Sequence, residues 1–110
     1  EQHGEAVKCF NKALKINPGH TDSWNSKGES LIMLKKFTSA IECYNKAIEL
    51  APSSTIALCG KGLALYKQKK YEDALEYSEK GLELEPGNLS LEDLHKKCIN
   101  KLAVNYGYIK

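Results

Sequence analysis

Residues 24–52 read WNSKGESLIMLKKFTSAIECYNKAIELAP, and thirty-four positions later residues 58–86 read LCGKGLALYKQKKYEDALEYSEKGLELEP. Laid over one another, Lys27 falls on Lys61, Gly28 on Gly62, Leu31 on Leu65, Phe37 on Tyr71 and Ala40 on Ala74. Lys46, Ile48, Leu50 and Pro52 fall on Lys80, Leu82, Leu84 and Pro86. The register also runs backwards, because Ala6, Lys12, Ala13, Leu14, Ile16 and Pro18 stand one interval before Ala40, Lys46, Ala47, Ile48, Leu50 and Pro52. A period of this length marks an array of stacked units, each too small to bury its own apolar face.

Inside each unit the apolar residues recur at three- and four-residue intervals, the signature of helices with one buried stripe. Gly28, Gly62, Ala40 and Ala74 lie within those stripes, where small residues let two helix backbones approach closely. Trp24, Leu31, Phe37, Ile41, Tyr44 and Ile48 would fill the seam, each contributing on the order of 1.5–3 kcal/mol when buried. Each proline stops the second helix of its unit. Helices are therefore expected at 3–16, 21–34, 37–50, 55–68, 71–84 and 89–104. Thr21 or Asp22 is the expected N-cap of the second, and Ser53 or Ser54 that of the fourth.

The period and its residues resemble the tetratricopeptide repeat, whose pattern is W-x2-L-G-x2-Y, A-x3-F, P. The middle copy carries Trp24, Lys27, Gly28, Leu31, Ala40, Tyr44 and Pro52. The next carries Leu58, Lys61, Gly62, Leu65, Ala74, Ser78 and Pro86, and the first keeps only Ala6, Phe10 and Pro18. The resemblance implies an all-α fold, an α-α superhelix (solenoid) of antiparallel helix pairs with about two and a half repeats plus a C-terminal capping helix. Residues 1–20 are then the second half of a repeat, 21–54 and 55–88 complete repeats, 89–105 the capping helix and 106–110 a tail that frays or folds its aromatics back.

Two departures stand out in the third copy, where Ser78 replaces an aromatic and Gly81 an alanine. Drift near the end of the array is the simpler explanation. A close approach by the terminal helix at Gly81 is the alternative.

In such a solenoid the first helices of successive pairs line a concave groove able to hold a peptide or a helix. The resemblance places Asp22, Asn25, Glu29, Ile32 and Met33 there from one pair, and Ile56, Cys59, Leu63, Tyr66 and Lys67 from the next. The capping helix adds Ser90, Asp93, Lys97 and Lys101. The groove is read as apolar at its centre and basic at its far end, suited to a partner with an apolar anchor such as an amphipathic helix. Some tetratricopeptide domains clamp the acidic C-terminus of a heat-shock chaperone. The clamp positions here hold Asn25, Glu29, Gly60, Ser90 and Leu94, so that clamp is absent and that partner is not expected.

Composition sets the outer limits. With 42% hydrophobic and 27% charged residues the 110-residue chain has the balance of one folded domain. All sixteen basic residues behind the net charge of +2 are lysines. Without the guanidinium fork, specific nucleic-acid binding is not expected. The longest apolar runs fall far short of the roughly 20 residues that cross a bilayer, so no membrane partner is expected. Cys9, Cys43, Cys59 and Cys98 have no zinc-like spacing and suggest a reducing, cytoplasmic compartment. Cys9 and Cys43, at equivalent positions, read as packing residues.

His95 and Cys98 share a helix face but make no complete metal site, Asn88-Leu89-Ser90 reads as a turn and helix cap, and Tyr71, Glu72, Asp73 and Glu76 suit helix salt bridges better than acid/base work. No nucleophile–base pair, phosphate loop or metal set is recognisable, so neither an enzyme nor a cofactor is expected. The leading reading is a non-catalytic protein-interaction scaffold, and the alternative a structural or self-associating spacer within a larger protein.

The chain opens at Glu1 in mid-helix pattern without Met, as a part of something longer would. Its half repeat leaves Ala6, Val7, Phe10 and Leu14 covered on one side only, which predicts concentration-dependent dimerisation. Light scattering over a hundredfold concentration range checks this, and a strictly monomeric mass throughout would overturn it.

Overall fold

The computed structural model describes residues 2–107, and in them the chain forms six helices. They are α1 (Gln2–Ile16), α2 (Thr21–Met33), α3 (Phe37–Leu50), α4 (Thr55–Lys67), α5 (Tyr71–Leu84) and α6 (Leu89–Asn105). Each packs on the next along the chain, and α2, α4 and α6 also touch in series, so they form one layer and α1, α3 and α5 the other. The array is elongated, 49 × 30 × 19 Å. No described helix is long and apolar enough to cross a membrane.

Helix ends follow local chemistry. Ser54 caps α4, its Oγ accepting from Ala57 N at 3.3 Å, and Asn88 caps α6, its Oδ1 accepting from Leu91 N at 3.0 Å. The expectation for α2 is corrected: its N-cap is His20, which offers no side-chain cap bond, while Thr21 is already helical. There the His20 ring nitrogen bonds Ser23 Oγ at 2.6 Å instead.

The turns inside the pairs close alike. Lys36 N donates to Leu31 O and Lys35 N to Ile32 O, each at 2.8 Å, and Lys70 N and Lys69 N repeat this on Leu65 O and Tyr66 O at 2.9 Å. This closure needs a left-handed residue, and Lys35 (φ 62°) and Lys69 (φ 66°) supply it where glycine is usual.

The core sits between the layers. Leu31, Ala40, Cys43, Tyr44, Ala47, Ala57 and Ala64 form one buried cluster, with Val7, Trp24, Ile32, Ile41 and Ile48 packed against it. Trp24 also ties α2 to the preceding turn, its indole N–H donating to Pro18 O at 2.8 Å. Leu65, Ala74, Leu94 and Cys98 form a second cluster. Burial pushes the Cys43 and Cys98 thiols up, so both stay protonated at neutral pH and act as packing groups. Cys9 departs from its repeat mate: it is exposed, because among the described residues no helix precedes α1 to cover it. His95 faces Glu79 at 3.7 Å, whereas Cys98 is fully buried.

The departures of the third unit have a structural cause. A Cβ at Gly81 would lie 2.7 and 2.8 Å from the two methyl carbons of Leu91, itself fully buried on α6. Close approach therefore replaces drift as the explanation of Gly81. Ser78 is likewise fully buried, and its hydroxyl donates to Leu75 O at 2.7 Å. The Tyr106 hydroxyl folds back to Glu72 Oε2 at 2.9 Å, while Tyr108 lies outside the described residues.

Gly81→Ala removes a helix-weakening glycine but forces Leu91 to move where it has no room. Overpacking of about 1–3 kcal/mol outweighs a propensity gain of up to about 1 kcal/mol. A thermal melt followed by circular dichroism should show Tm lowered by several degrees, and a raised Tm would restore drift as the explanation.

Candidate functional site

The face of α2 that carries Asp22, Asn25, Ser26, Glu29, Ile32 and Met33 opposes Thr55, Ile56, Cys59, Gly60 and Leu63 of α4. Between them lies an open groove of ≈ 760 Å³, lined also by Tyr44, Asn88 and Ser90. These positions recur at helical spacing, so each helix presents a single stripe to the groove.

The floor of this groove depends on two glycines. Tyr44 reaches up from α3, and its ring tip sits between Gly28 of α2 and Gly60 of α4. A Cβ on Gly28 would lie 2.7 Å from Tyr44 Cζ, and one on Gly60 would lie closer still. Tyr44 is only 4% exposed yet lines the groove. Burial first and the Glu29 carboxylate second push its phenol well above the ordinary tyrosine range, so it stays neutral.

The walls combine two chemistries. Met33 and Ile56 are exposed to 59% and 68%, and Leu63 and Ile32 are half-buried beside them. Asp22 and Glu29 are the charged lining residues, both exposed and neither in an ion pair among the described residues. Burial raises the Cys59 thiol, which leaves it neutral in the wall. Asn25 is 9% exposed, and its Oδ1 is buried without a hydrogen-bond partner.

Of the residues expected in the groove, Asn25, Glu29, Ile32, Met33, Ile56, Cys59 and Leu63 are brought together. Tyr66, Lys67, Lys97 and Lys101 lie outside the groove lining. Tyr66 packs against the second core cluster and stacks edge-on with Tyr71 at 5.4 Å. Lys97 pairs with Asp93 at 3.0 Å, a hydrogen bond that raises its pKa, and Lys67 and Lys101 are exposed. The lysines of the basic far end therefore lie beyond this lining, and one of them, Lys97, is already paired. Sequence reasoning missed Gly60 and Tyr44 as its floor. The one available signal was that Gly60 breaks the repeat, standing where Ser26 and Leu94 stand in the neighbouring units.

Models of the tetratricopeptide repeat match residues 21–54 and 55–88, and a further model of the same repeat matches residues 1–20. The chain belongs to the tetratricopeptide-repeat family. Solved tetratricopeptide domains superpose over nearly its whole length. The first such domain of Spaghetti (RPAP3), bound to the HSP90 peptide SRMEEVD, has 30% identity and a TM-score of 0.90 over 93% of this chain and 81% of that one. The first domain of human RPAP3 has 29% identity and a TM-score of 0.91 over 97% and 84%. The TPR2B domain of yeast Sti1, solved with pHsp70, has 26% identity and a TM-score of 0.84 over 91% and 85%. Among curated proteins none matches the sequence significantly.

Gly60→Ala should cost about 1–3 kcal/mol, because the added methyl meets the Tyr44 ring, which Gly28 already hems in on its other side. Paired with Tyr44→Leu, the same change should cost less than the sum of the two single variants, as urea unfolding of all three will show. Strict additivity would mean that Tyr44 and Gly60 are not coupled.

Proposed function

We propose that this tetratricopeptide array is a non-catalytic scaffold that holds a peptide or amphipathic helix of another protein in the groove between α2 and α4. The observation that carries this reading is the exposure of Met33 and Ile56 on facing helices above a floor of Tyr44. Covering each with a partner's side chain contributes on the order of 1.5–3 kcal/mol. Support comes from the Spaghetti (RPAP3) domain, which holds a short peptide within the same fold.

The division into a half repeat (1–20), repeats 21–54 and 55–88, a capping helix (89–105) and a tail is part of this reading. So are a cytoplasmic location, in keeping with free thiols at Cys9, Cys43, Cys59 and Cys98, and a protein partner rather than nucleic acid or membrane. A second reading, a self-associating spacer that dimerises through α1, is favoured by the half-buried Ala6, Val7 and Phe10 on that helix, whereas Leu14, expected to be open on one side as well, is buried.

Met33→Ser with Ile56→Ser tests the groove without touching the core. Both side chains already face solvent, so stability should change by less than about 0.5 kcal/mol each. Affinity capture compared by mass spectrometry should lose a partner that the unaltered chain retains. A melt unchanged and a partner profile unchanged would favour the spacer.

A further inference from the structure

We propose that the groove takes an extended, cationic peptide segment, an apolar anchor between lysine or arginine side chains three residues apart; this rests on the groove being the binding site. Three observations carry it. The charges that line the groove are the carboxylates of Asp22 and Glu29, neither ion-paired among the described residues. Met33 and Ile56 offer the apolar contact between the two walls. Asn25, on the same face of α2 and between the carboxylates, keeps a buried Oδ1 with no donor.

Asn25 selects the conformation of the ligand. An amide oxygen without a partner lacks an N–H group; it lies buried beside the groove in the structure, and a turn about the soft χ2 of asparagine on binding would present it to the ligand. A helical ligand has used its backbone N–H groups internally, except in its first turn. An extended segment still has them free. Spacing agrees for a polyproline-II-like extended chain: seven residues along α2 separate Asp22 from Glu29 by about 10.5 Å, and such a chain, with three residues per turn, brings side chains i and i+3 to the same face about 9 Å apart. Cationic side chains at i and i+3 of the ligand therefore reach both carboxylates while the residues between them meet Asn25, Met33 and Ile56.

The same charges disfavour acidic ligands. A segment such as SRMEEVD, held by the Spaghetti (RPAP3) domain, would set its carboxylates against Asp22 and Glu29. The lysines that could offset this lie outside the groove lining, and Lys97 is already engaged by Asp93.

The test uses labelled heptapeptides with the core Lys-Leu-Ile-Lys or Glu-Leu-Ile-Glu, together with SRMEEVD, titrated against the full chain by fluorescence anisotropy. The lysine peptide should bind about tenfold more tightly than either acidic one, and the preference should shrink in high salt. Asp22→Lys with Glu29→Lys, both at exposed positions, should invert the order while circular dichroism stays unchanged. N-methylation of the Leu and Ile amides should weaken the lysine peptide several-fold by removing the donors for Asn25. An acidic peptide that binds as tightly as the lysine peptide overturns the inference and leaves the groove reading intact. Full affinity after N-methylation overturns the extended mode. If every peptide binds the Met33→Ser, Ile56→Ser variant as well as the unaltered chain, both the inference and the groove reading fall.

Discussion

Where α3 meets α4, and again where α5 meets α6, one large side chain sits in a gap left by a small neighbour. Between α3 and α4 that side chain is Tyr44, and Gly60 opposite it has none. One repeat later the sizes are exchanged: Ser78 takes the place of Tyr44, and Leu94 takes the place of Gly60. Leu94 then presses on Gly62, where a Cβ would lie 2.8 Å from it. A second pair is redistributed and not exchanged: Ala47 and Ala57 are both small at one crossing, and at the next Gly81 makes room for the large Leu91. Because interiors are packed to crystal-like density, neither member can change size alone. The exchange keeps the helices stacked while it alters the surface above them.

That alteration decides where the groove lies. Over Tyr44 the small Gly60 leaves the space between α2 and α4 open, and Ile56 and Met33 look into it. At the corresponding place between α4 and α6, Leu94 is 3% exposed and belongs to the core. The opening lies between the first complete pair and its neighbour and reaches Asn88 and Ser90 at the start of α6. Its electrostatics follow from the same geometry, because α2 contributes Asp22 and Glu29 to the walls, and the lysines of α4 and α6 lie outside the lining.

The 34-residue register determined the six helices, their pairing and their layers, because helix formation and stripe burial depend on spacing that is visible in the chain itself. Most of the groove wall followed from the resemblance to the tetratricopeptide repeat, which says which helix face is concave, while spacing says only which side chains share a face. A cap at Ser53 or Ser54 and another within Asn88-Leu89-Ser90 were legible for local reasons as well, and the structure selects Ser54 and Asn88. What lay outside local reach was the partner of each side chain across a crossing. The exchange of Tyr44 and Gly60 for Ser78 and Leu94, the fit of Leu91 against Gly81, the exposure of Cys9 and the pairing of Lys97 with Asp93 all depend on residues brought together by packing. Sequence fixes which residues point inward; only the tertiary structure decided which neighbour each one meets, because close packing is a property of both sides of a contact.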